Sequence, residues 1–215
     1  EVNKGDDLNP RYRSRLVARQ LKAHDKSGTS FFAPTPPLEA LRSILSMAAT
    51  DLPGRPVHVR DPLSERRTQV SAIDISRAYF NARTDPSEPC YVQLPQEDPD
   101  HESMCGYFLR HMYGTRRAAD GWQEEYSTML VQELGFTQGI SCPNIFRHDE
   151  RDITCIVHGD DFTSCGSKRR LDWMEGEIGK QYEITIGPRL GPGKSDAKGA
   201  VVLNRVGRWC EDAIE

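Results

Sequence analysis

The sequence is poor in the features that mark membrane, secreted and repeat proteins. Its 215 residues contain no apolar run near the roughly 18 residues that a membrane-spanning helix needs. Residues 1–6 show neither an initiating Met nor a signal-peptide pattern, so we expect a piece of a longer, intracellular chain. No internal repeat or low-complexity tract is present, which excludes a repeat array.

Several site motifs are also missing. The six cysteines form no Cys-x-x-Cys pair, and no histidine stands at zinc-finger spacing from any of them. No cysteine stands beside a recognisable base, so we expect reduced, non-catalytic thiols in a reducing compartment. The glycine-rich segment 191–193 is not followed by a helix start with the required spacing, so we predict a turn there rather than a phosphate loop.

The net charge is low and negative, which is unusual for a dedicated nucleic-acid binder. The chain has 28 Lys and Arg against 32 Asp and Glu, for a formal net charge of -4, whereas domains that bind nucleic acid are usually basic. The basic residues are nevertheless clustered, and local clusters govern phosphate contacts more than the sum does. The two clusters are Arg11, Arg13, Arg15, Arg19, Lys22 and Lys26, and then Arg110, Arg116 and Arg117. The alternative interpretation of each cluster is a solvated face.

Apolar spacing predicts an α+β fold. Helices are predicted after the prolines at 36–37 over 38–48, over 117–134 with Gly135 as the stop, and from Ser167 as N-cap to about residue 182. Strands are predicted at 11–22, 70–75, 91–94, 105–113, 145–148, 153–157, 162–165, 183–186 and 201–206. From residue 70 onward, with the short strands at 91–113 set aside, the order is strand–helix–strand–strand–helix–strand. This order is typical of a ferredoxin-like sheet.

Three carboxylates are predicted to reach one end of this sheet. Asp74 ends an apolar strand, and a two-residue hairpin turn is predicted at His158-Gly159-Asp160-Asp161. In a type II′ turn, Gly159 supplies the positive φ of the first central position without strain. The predicted sheet places this hairpin beside the strand of Asp74, so the acids suit a pair of Mg²⁺ ions about 4 Å apart. Each Asp alone is ordinary, because Asp favours turns, but together they indicate phosphoryl transfer on nucleotides.

Tyr79 follows Asp74 by five residues. An aromatic ring at this position suits packing under an incoming sugar and excluding its 2′-hydroxyl group. The alternative interpretation is a core aromatic residue next to Phe80.

Several segments resemble copia-type retrotransposon reverse transcriptases. DISRAYFN at 74–81 resembles their first catalytic motif, and HGDDF at 158–162 resembles their second, which is usually an aromatic-x-Asp-Asp box. Further similar segments are RSRLVAR at 13–19 and FFAP at 31–34 (fingers), MYGTRRAADGW at 112–122 (before the long palm helix) and LGFTQGISCPNIF at 134–146 (before the catalytic hairpin). Their order and spacing agree across roughly residues 11–190, which is far more specific than a lone Asp-Asp pair.

The resemblance implies RNA-directed DNA polymerisation on a right-hand fold with a palm, fingers and a thumb that is largely absent. It implies Asp74, Asp160 and Asp161 as catalytic acids that bind two Mg²⁺ ions, or Mn²⁺, and Tyr79 as the sugar gate. Arg13 and Arg15 fall in the fingers segment that contacts the triphosphate. The implied partners are an RNA template, the RNA/DNA hybrid, dNTPs and the remaining Gag-Pol polyprotein (thumb, RNase H, integrase), but no membrane. The implied location is cytoplasmic and particle-associated, with a nuclear phase.

The same resemblance divides the chain into three regions. Residues 1–69 are expected to form a fingers segment with an N-terminal tail and an insertion loop at 51–69. Residues 70–188 are expected to form the palm, with an inserted fingers part at about 84–115. Residues 189–215 are expected to form a final strand and the start of a connection to a thumb.

Two positions depart from the family pattern and leave alternatives open. His158 replaces the usual aromatic residue, and Arg117 replaces a Gln that helps to hold the incoming nucleotide. Arg117 is therefore a candidate substrate-binding residue. It also motivates a second hypothesis, a catalytically decayed palm and fingers fragment that retains only nucleic-acid or partner binding. A third hypothesis is an unrelated metal-dependent phosphohydrolase that uses the same acids.

Overall fold

A six-stranded antiparallel sheet is the main element of the computed structural model, which describes residues 2–3, 6, 8–14, 16–20, 34–50, 68–203, 205–210 and 213–215. The first elements are β1 (Val2–Asn3), β2 (Tyr12–Arg13), α1 (Leu38–Ala49), β3 (Thr68–Ile75), β4 (Tyr91–Gln93) and β5 (Cys105–Tyr107). Then come α2 (Ala118–Thr128), β6 (Thr137–Gln138), β7 (Ile145–His148), β8 (Ile153–His158), β9 (Asp161–Ser167), α3 (Lys168–Gln181), β10 (Ile184–Ile186), β11 (Gly199–Val202) and β12 (Arg205–Arg208). A 3₁₀ helix spans Ala78–Asn81, and a π-helical turn, Met129–Glu133, continues α2.

The strands of the sheet are ordered β10-β3-β9-β8-β7-β6, and every neighbouring pair is antiparallel. The predicted α+β class is therefore confirmed. In chain order, β3, α2, β8, β9, α3 and β10 give the predicted strand–helix–strand–strand–helix–strand succession, and β6 and β7 extend the sheet beyond β8. Because β3 lies next to β9, the end of β3 lies beside the turn that joins β8 to β9.

Helices pack against both faces of the sheet. On one face, Leu41 and Ile44 of α1 belong to a buried cluster with Val70, Ile156 and Cys165 of the strands. On the other face, Ser71 Oγ of β3 donates a hydrogen bond of 2.6 Å to Glu175 of α3. Successive strand residues point to opposite faces, so Asp74 of β3 lies on the same face as Val70, which is the α1 face.

The chain divides into two compact units. The sheet unit comprises Ala33–Ala78 and Gln123–Glu215, and it contains the six-stranded sheet and the β11–β12 hairpin. The hairpin unit comprises Glu1–Phe32 and Tyr79–Trp122, and it contains the β1–β2 and β4–β5 pairs. Most of the predicted insertion loop at 51–69 lies outside the described residues. No helix in the described part of the chain is long and apolar enough to cross a membrane.

Several local predictions need correction. Among the described residues, the strand predicted at 11–22 is limited to β2 (Tyr12–Arg13). The single strand predicted at 201–206 is a hairpin of β11 and β12, because Leu203 adopts a φ of 48° and turns the chain. The strand predicted at 105–113 is limited to β5, since the chain beyond it pairs irregularly with the 82–84 segment. Ser167 is the N-cap residue of α3 as predicted, but its hydroxyl makes no capping hydrogen bond.

The chain turns at 193–196, which overlaps the turn predicted at 191–193, and this turn encloses a carboxylate. Asp196 accepts hydrogen bonds of 2.7 Å from the Gly193 N–H and from Gln69 Nε2. A Cβ atom added at Gly191 or Gly193 would lie 2.5 or 2.6 Å from Asp196 Oδ2, so a side chain at either position would force the Asp196 carboxylate to move. The Lys198 ammonium donates to the carbonyl oxygens of both glycines, at 2.7 and 2.9 Å.

Candidate active site

The turn between β8 and β9 has the predicted two-residue geometry. His158 pairs with Asp161, which leaves Gly159 and Asp160 as the two central residues. Gly159 has a φ of 66°, whereas Asp160 is not among the described residues with positive φ. Positive φ at the first central position alone is the signature of a type II′ turn. The local reason for glycine at position 159 is therefore confirmed.

Asp74 and Asp161 are direct cross-strand neighbours in the β3–β9 pair. The Ile75 N–H donates a hydrogen bond of 2.9 Å to the carbonyl oxygen of Asp160, one residue beyond this pair on each strand. Asp74 and Asp161 therefore form a non-hydrogen-bonded pair, in which Cα atoms lie about 4.5 Å apart and side chains lie close together. The same hydrogen bond ties the backbone of Asp160 to the end of β3. All three predicted acids thus occur at one end of the sheet.

A row of polar residues crosses four strands at this end. The register pairs Thr185 of β10 with Asp74, Asp74 with Asp161, and Asp161 with His158 of β8. Residues that pair across strands share a face of the sheet, so all four side chains lie on the α1 face. We call these four residues the polar row. Sequence reasoning missed Thr185, whose position follows only from the register of β10 with β3.

The electrostatic environment of Asp161 disfavours its negative charge. Burial raises the pKa of the Asp161 carboxyl, and the neighbouring carboxylates of Asp160 and Asp74 raise it further. The His158 imidazole acts in the opposite direction. Like charges directly opposite one another destabilise a pair of strands. A cation bound between these acids would remove that repulsion.

The acids fit magnesium in donor type but do not form a complete cage. Among the described residues, no group of three or more His, Cys, Asp or Glu side chains is arranged to hold a metal ion. Mg²⁺, however, is commonly held by one or two carboxylates together with water and substrate phosphates. The Asp74–Asp161 pair, with Asp160 adjoining it, provides hard oxygen ligands of this kind at an exposed strand end. The residues present therefore match magnesium in the chemical type of their ligand atoms.

Tyr79, the predicted sugar gate, lies in the hairpin unit and packs against another aromatic ring. Its ring centroid is 4.6 Å from that of Tyr113, and Phe80 contacts the same ring edge-on at 5.7 Å. Tyr79 is half-buried, whereas Phe80 is 37% exposed. Aromatic packing therefore accounts for part of the Tyr79 environment, as the alternative interpretation expected.

Arg117, the predicted substrate-binding residue, forms an ion pair with Glu88 within the hairpin unit. Both side chains line a pocket of about 330 Å³, together with Arg110, His111 and Tyr91. Arg110 in turn donates a hydrogen bond of 2.5 Å to the carbonyl oxygen of Asn81. The Arg117 guanidinium is therefore already held by a carboxylate.

Arg13 and Arg15, which are predicted to contact the triphosphate, lie near the start of the chain. Arg13 lies in β2, which pairs with β1. Arg15 lies outside the described residues. The proposed role of each arginine stays a prediction.

Comparison with known proteins assigns no family to the chain. No protein-family model matches the sequence, and no curated protein is significantly similar to it. The proposed function therefore depends on the geometry of the acids and on the motif resemblance.

Proposed function

We propose that the chain is the RNA-directed DNA polymerase core of a copia-type retrotransposon. The single observation that carries this proposal is the direct pairing of Asp74 with Asp161, with Asp160 in the adjoining turn. Two-metal nucleotidyl transfer needs carboxylates close enough together to hold both ions and needs no side-chain nucleophile. The motif resemblance supplies the substrate class, which is dNTPs added on an RNA template.

On this proposal, β3, α2, β8, β9, α3 and β10 form a ferredoxin-like palm, and the hairpin unit belongs to the fingers. The order of elements and the sheet order support the palm assignment. The expected partners are the RNA template, the RNA/DNA hybrid and the remaining parts of the polyprotein. The expected location is a cytoplasmic particle.

The acids of the palm have separate tasks in this mechanism. Asp74, Asp160 and Asp161 would hold two Mg²⁺ ions, or Mn²⁺, and such ions would supply activation of a primer 3′-hydroxyl and charge stabilisation for the leaving pyrophosphate. Asp74 and Asp161 belong to paired strands, so the sheet fixes the spacing of their carboxylates. Asp160 approaches from the turn, whose backbone is hydrogen-bonded to β3. The role of Tyr79 as sugar gate is proposed from the motif resemblance alone.

Primer extension on poly(rA)·oligo(dT) with Mg²⁺ or Mn²⁺ tests the proposal. We expect template-dependent extension by the wild-type chain and none by Asp160→Asn, which keeps the turn but removes one charge. Asp149→Asn, an exposed acid in the turn between β7 and β8, is the control and should extend like the wild type. Undiminished extension by Asp160→Asn would refute the active-site assignment, and release of phosphate without a template would favour a phosphohydrolase.

A second candidate function is nucleic-acid binding without polymerisation. The observation that favours it is the ion pair between Arg117 and Glu88, because Arg117 replaces a residue that helps to hold the nucleotide. A guanidinium held by a carboxylate is less available to a triphosphate. Salt-dependent binding of an RNA/DNA hybrid without any extension would support this candidate, and robust extension would exclude it.

A further inference from the structure

A buried amide connects the acidic turn to the interior of the sheet unit. Asn144 is 1% exposed and lies directly before β7. Its backbone carbonyl oxygen accepts a hydrogen bond of 2.9 Å from the Val157 N–H. Its side-chain Nδ2 donates one of 3.1 Å to the Val157 carbonyl oxygen. One residue therefore binds both polar backbone groups of Val157, which immediately precedes His158.

The side chain of Asn144 replaces a backbone donor of the β-ladder. Ile145 pairs with Ile156, so Asn144 stands opposite Val157 at the next position. In a hydrogen-bonded antiparallel pair, the backbone N–H of residue 144 would ordinarily donate to the Val157 carbonyl oxygen. Here the side-chain amide donates instead, and the bonding between the strands reaches the last residue before the turn.

Asn144 also connects to the strand that follows the turn. Its Nδ2 donates a hydrogen bond of 3.3 Å to the Tyr126 hydroxyl oxygen. The Tyr126 ring packs edge-on against Phe162, with ring centroids 5.6 Å apart. Phe162 is fully buried and directly follows Asp161. The Asn144–Tyr126 pair therefore contacts both strands of the hairpin, one residue outside the turn on each side.

The amide of Asn144 has a cost as well as a benefit. Its Oδ1 is buried and makes no hydrogen bond with any described residue. A buried acceptor without a partner is costly, and the two hydrogen bonds that Nδ2 donates offset that cost. The benefit of the amide is that it fixes the end of β8.

We infer that Asn144, together with Tyr126, is a positioning residue that holds the Asp160–Asp161 turn in the arrangement that binds divalent cations. The inference rests on the proposed function for its catalytic meaning. The rigidity and the cation affinity of the turn can be measured whether or not the chain polymerises DNA. Groups that orient metal ligands are commonly worth about 10- to 100-fold in metal affinity.

Gln69 provides a matched control in the same sheet. It is a buried amide, 6% exposed, and its Oε1 also makes no hydrogen bond with any described residue. It lies on β3 at the end away from Asp74, where it donates to Asp196. Gln69→Leu and Asn144→Leu therefore each remove one buried amide with an unpaired oxygen, but only Asn144 contacts a residue beside the turn.

The test compares Asn144→Leu, Tyr126→Phe and Gln69→Leu in the full chain, at a temperature where all are folded. The measurements are the Mn²⁺ dissociation constant and hydrogen exchange of the backbone amides at 158–161 in metal-free protein. We expect the dissociation constant to rise about tenfold for Asn144→Leu and about threefold for Tyr126→Phe, with faster exchange in both. Gln69→Leu should leave both quantities at wild-type values even if its melting temperature falls.

Equal effects of Asn144→Leu and Gln69→Leu, or unchanged exchange in Asn144→Leu, would overturn the inference. Wild-type protein that binds Mn²⁺ but extends no primer would refute the polymerase proposal instead, and the exchange and Mn²⁺ results would still decide the role of Asn144. Failure of the wild-type chain to bind Mn²⁺ at all would overturn both.

Discussion

Aspartates lie at both ends of the β8–β9 hairpin, but the groups around them differ in charge. At one end the neighbours are arginines, and at the other they are mainly carboxylates. At the open end of the hairpin, just before β8, Asp152 accepts hydrogen bonds from Arg147 at 2.5 Å and from Arg170 at 3.4 Å. At the turn end, the carboxylates of Asp160 and Asp74 raise the pKa of Asp161, and the His158 imidazole lowers it. We call these the neutralised end and the acidic end.

The comparison separates a structural acid from a candidate functional one. A carboxylate with arginine partners is satisfied within the fold and has little to offer a ligand. A carboxylate whose neighbours are carboxylates keeps its repulsion until a cation or a proton arrives. The neutralised end of the hairpin thus serves as an internal reference for the acidic end.

The largest expected difference concerns activity. Asp161→Asn at the acidic end should reduce primer extension by about a thousandfold, because about 4 kcal/mol of metal-assisted stabilisation would be lost. Asp152→Asn at the neutralised end should extend primers within about threefold of wild type when assayed below its melting temperature. Comparable losses in the two variants would abolish the distinction between the ends.

The next effect is on stability, and we expect it at the neutralised end rather than at the acidic end. Asp152→Asn should lower the free energy of unfolding by about 2 kcal/mol, because two charge-assisted hydrogen bonds to arginine are weakened. Asn tolerates the positive φ of Asp152, which is 45°, so the variant isolates the charge. Urea unfolding measures the change, and a loss under about 0.5 kcal/mol would show that the arginines stabilise little.

A smaller effect is expected from the backbone of the acidic turn. Gly159→Ala should cost about 1 kcal/mol, because its φ of 66° strains any side chain. A Cβ atom there would meet nothing within 4 Å, so the cost is conformational only. Gly176→Ala in α3, where space is equally open, should instead stabilise by about 0.5 kcal/mol. Thermal unfolding of both variants checks the opposite signs.

The smallest effect is the stability gained by removing repulsion. Asp161→Asn should raise the free energy of unfolding at neutral pH by about 0.5 kcal/mol without metal, because like charges no longer face each other. The folded-state pKa of Asp161 is raised, so protonation stabilises the wild type as pH falls through that value. The gap between wild type and variant should therefore shrink toward acidic pH and vanish below about pH 4. A gap that widens on acidification would contradict the raised pKa.

Local sequence patterns predicted most of the sheet unit. Apolar runs identified β3, β8 and β9, and glycine marked two backbone reversals correctly. Gly135 follows the π-helical turn with a φ of 77°, and Gly159 supplies the positive φ of the hairpin turn. The meeting of Asp74 with the hairpin was predictable too, because the order of elements places the first strand beside the third.

Features that depend on exact register or on side-chain pairing could not be predicted. The sequence alone does not determine that Asp74 and Asp161 form a non-hydrogen-bonded pair, nor that Thr185 joins the polar row. Leu203 turns the chain without glycine, so the β11–β12 hairpin was predicted as one strand. The role of Asn144 depends on a side chain replacing a backbone donor, and no local pattern signals such a replacement.

The glycine turn around Asp196 has a consequence for where phosphates bind. Backbone N–H groups cradle anions in other loops, but here the Gly193 N–H already binds the carboxylate of Asp196. A tethered carboxylate competes at an effective concentration on the order of millimolar or more. Free nucleotides would have to displace this built-in competitor, and they would be repelled by its charge. While the Asp196 carboxylate stays bound, this loop offers no free Gly193 N–H to a phosphate. We therefore expect the triphosphate to bind elsewhere on the protein.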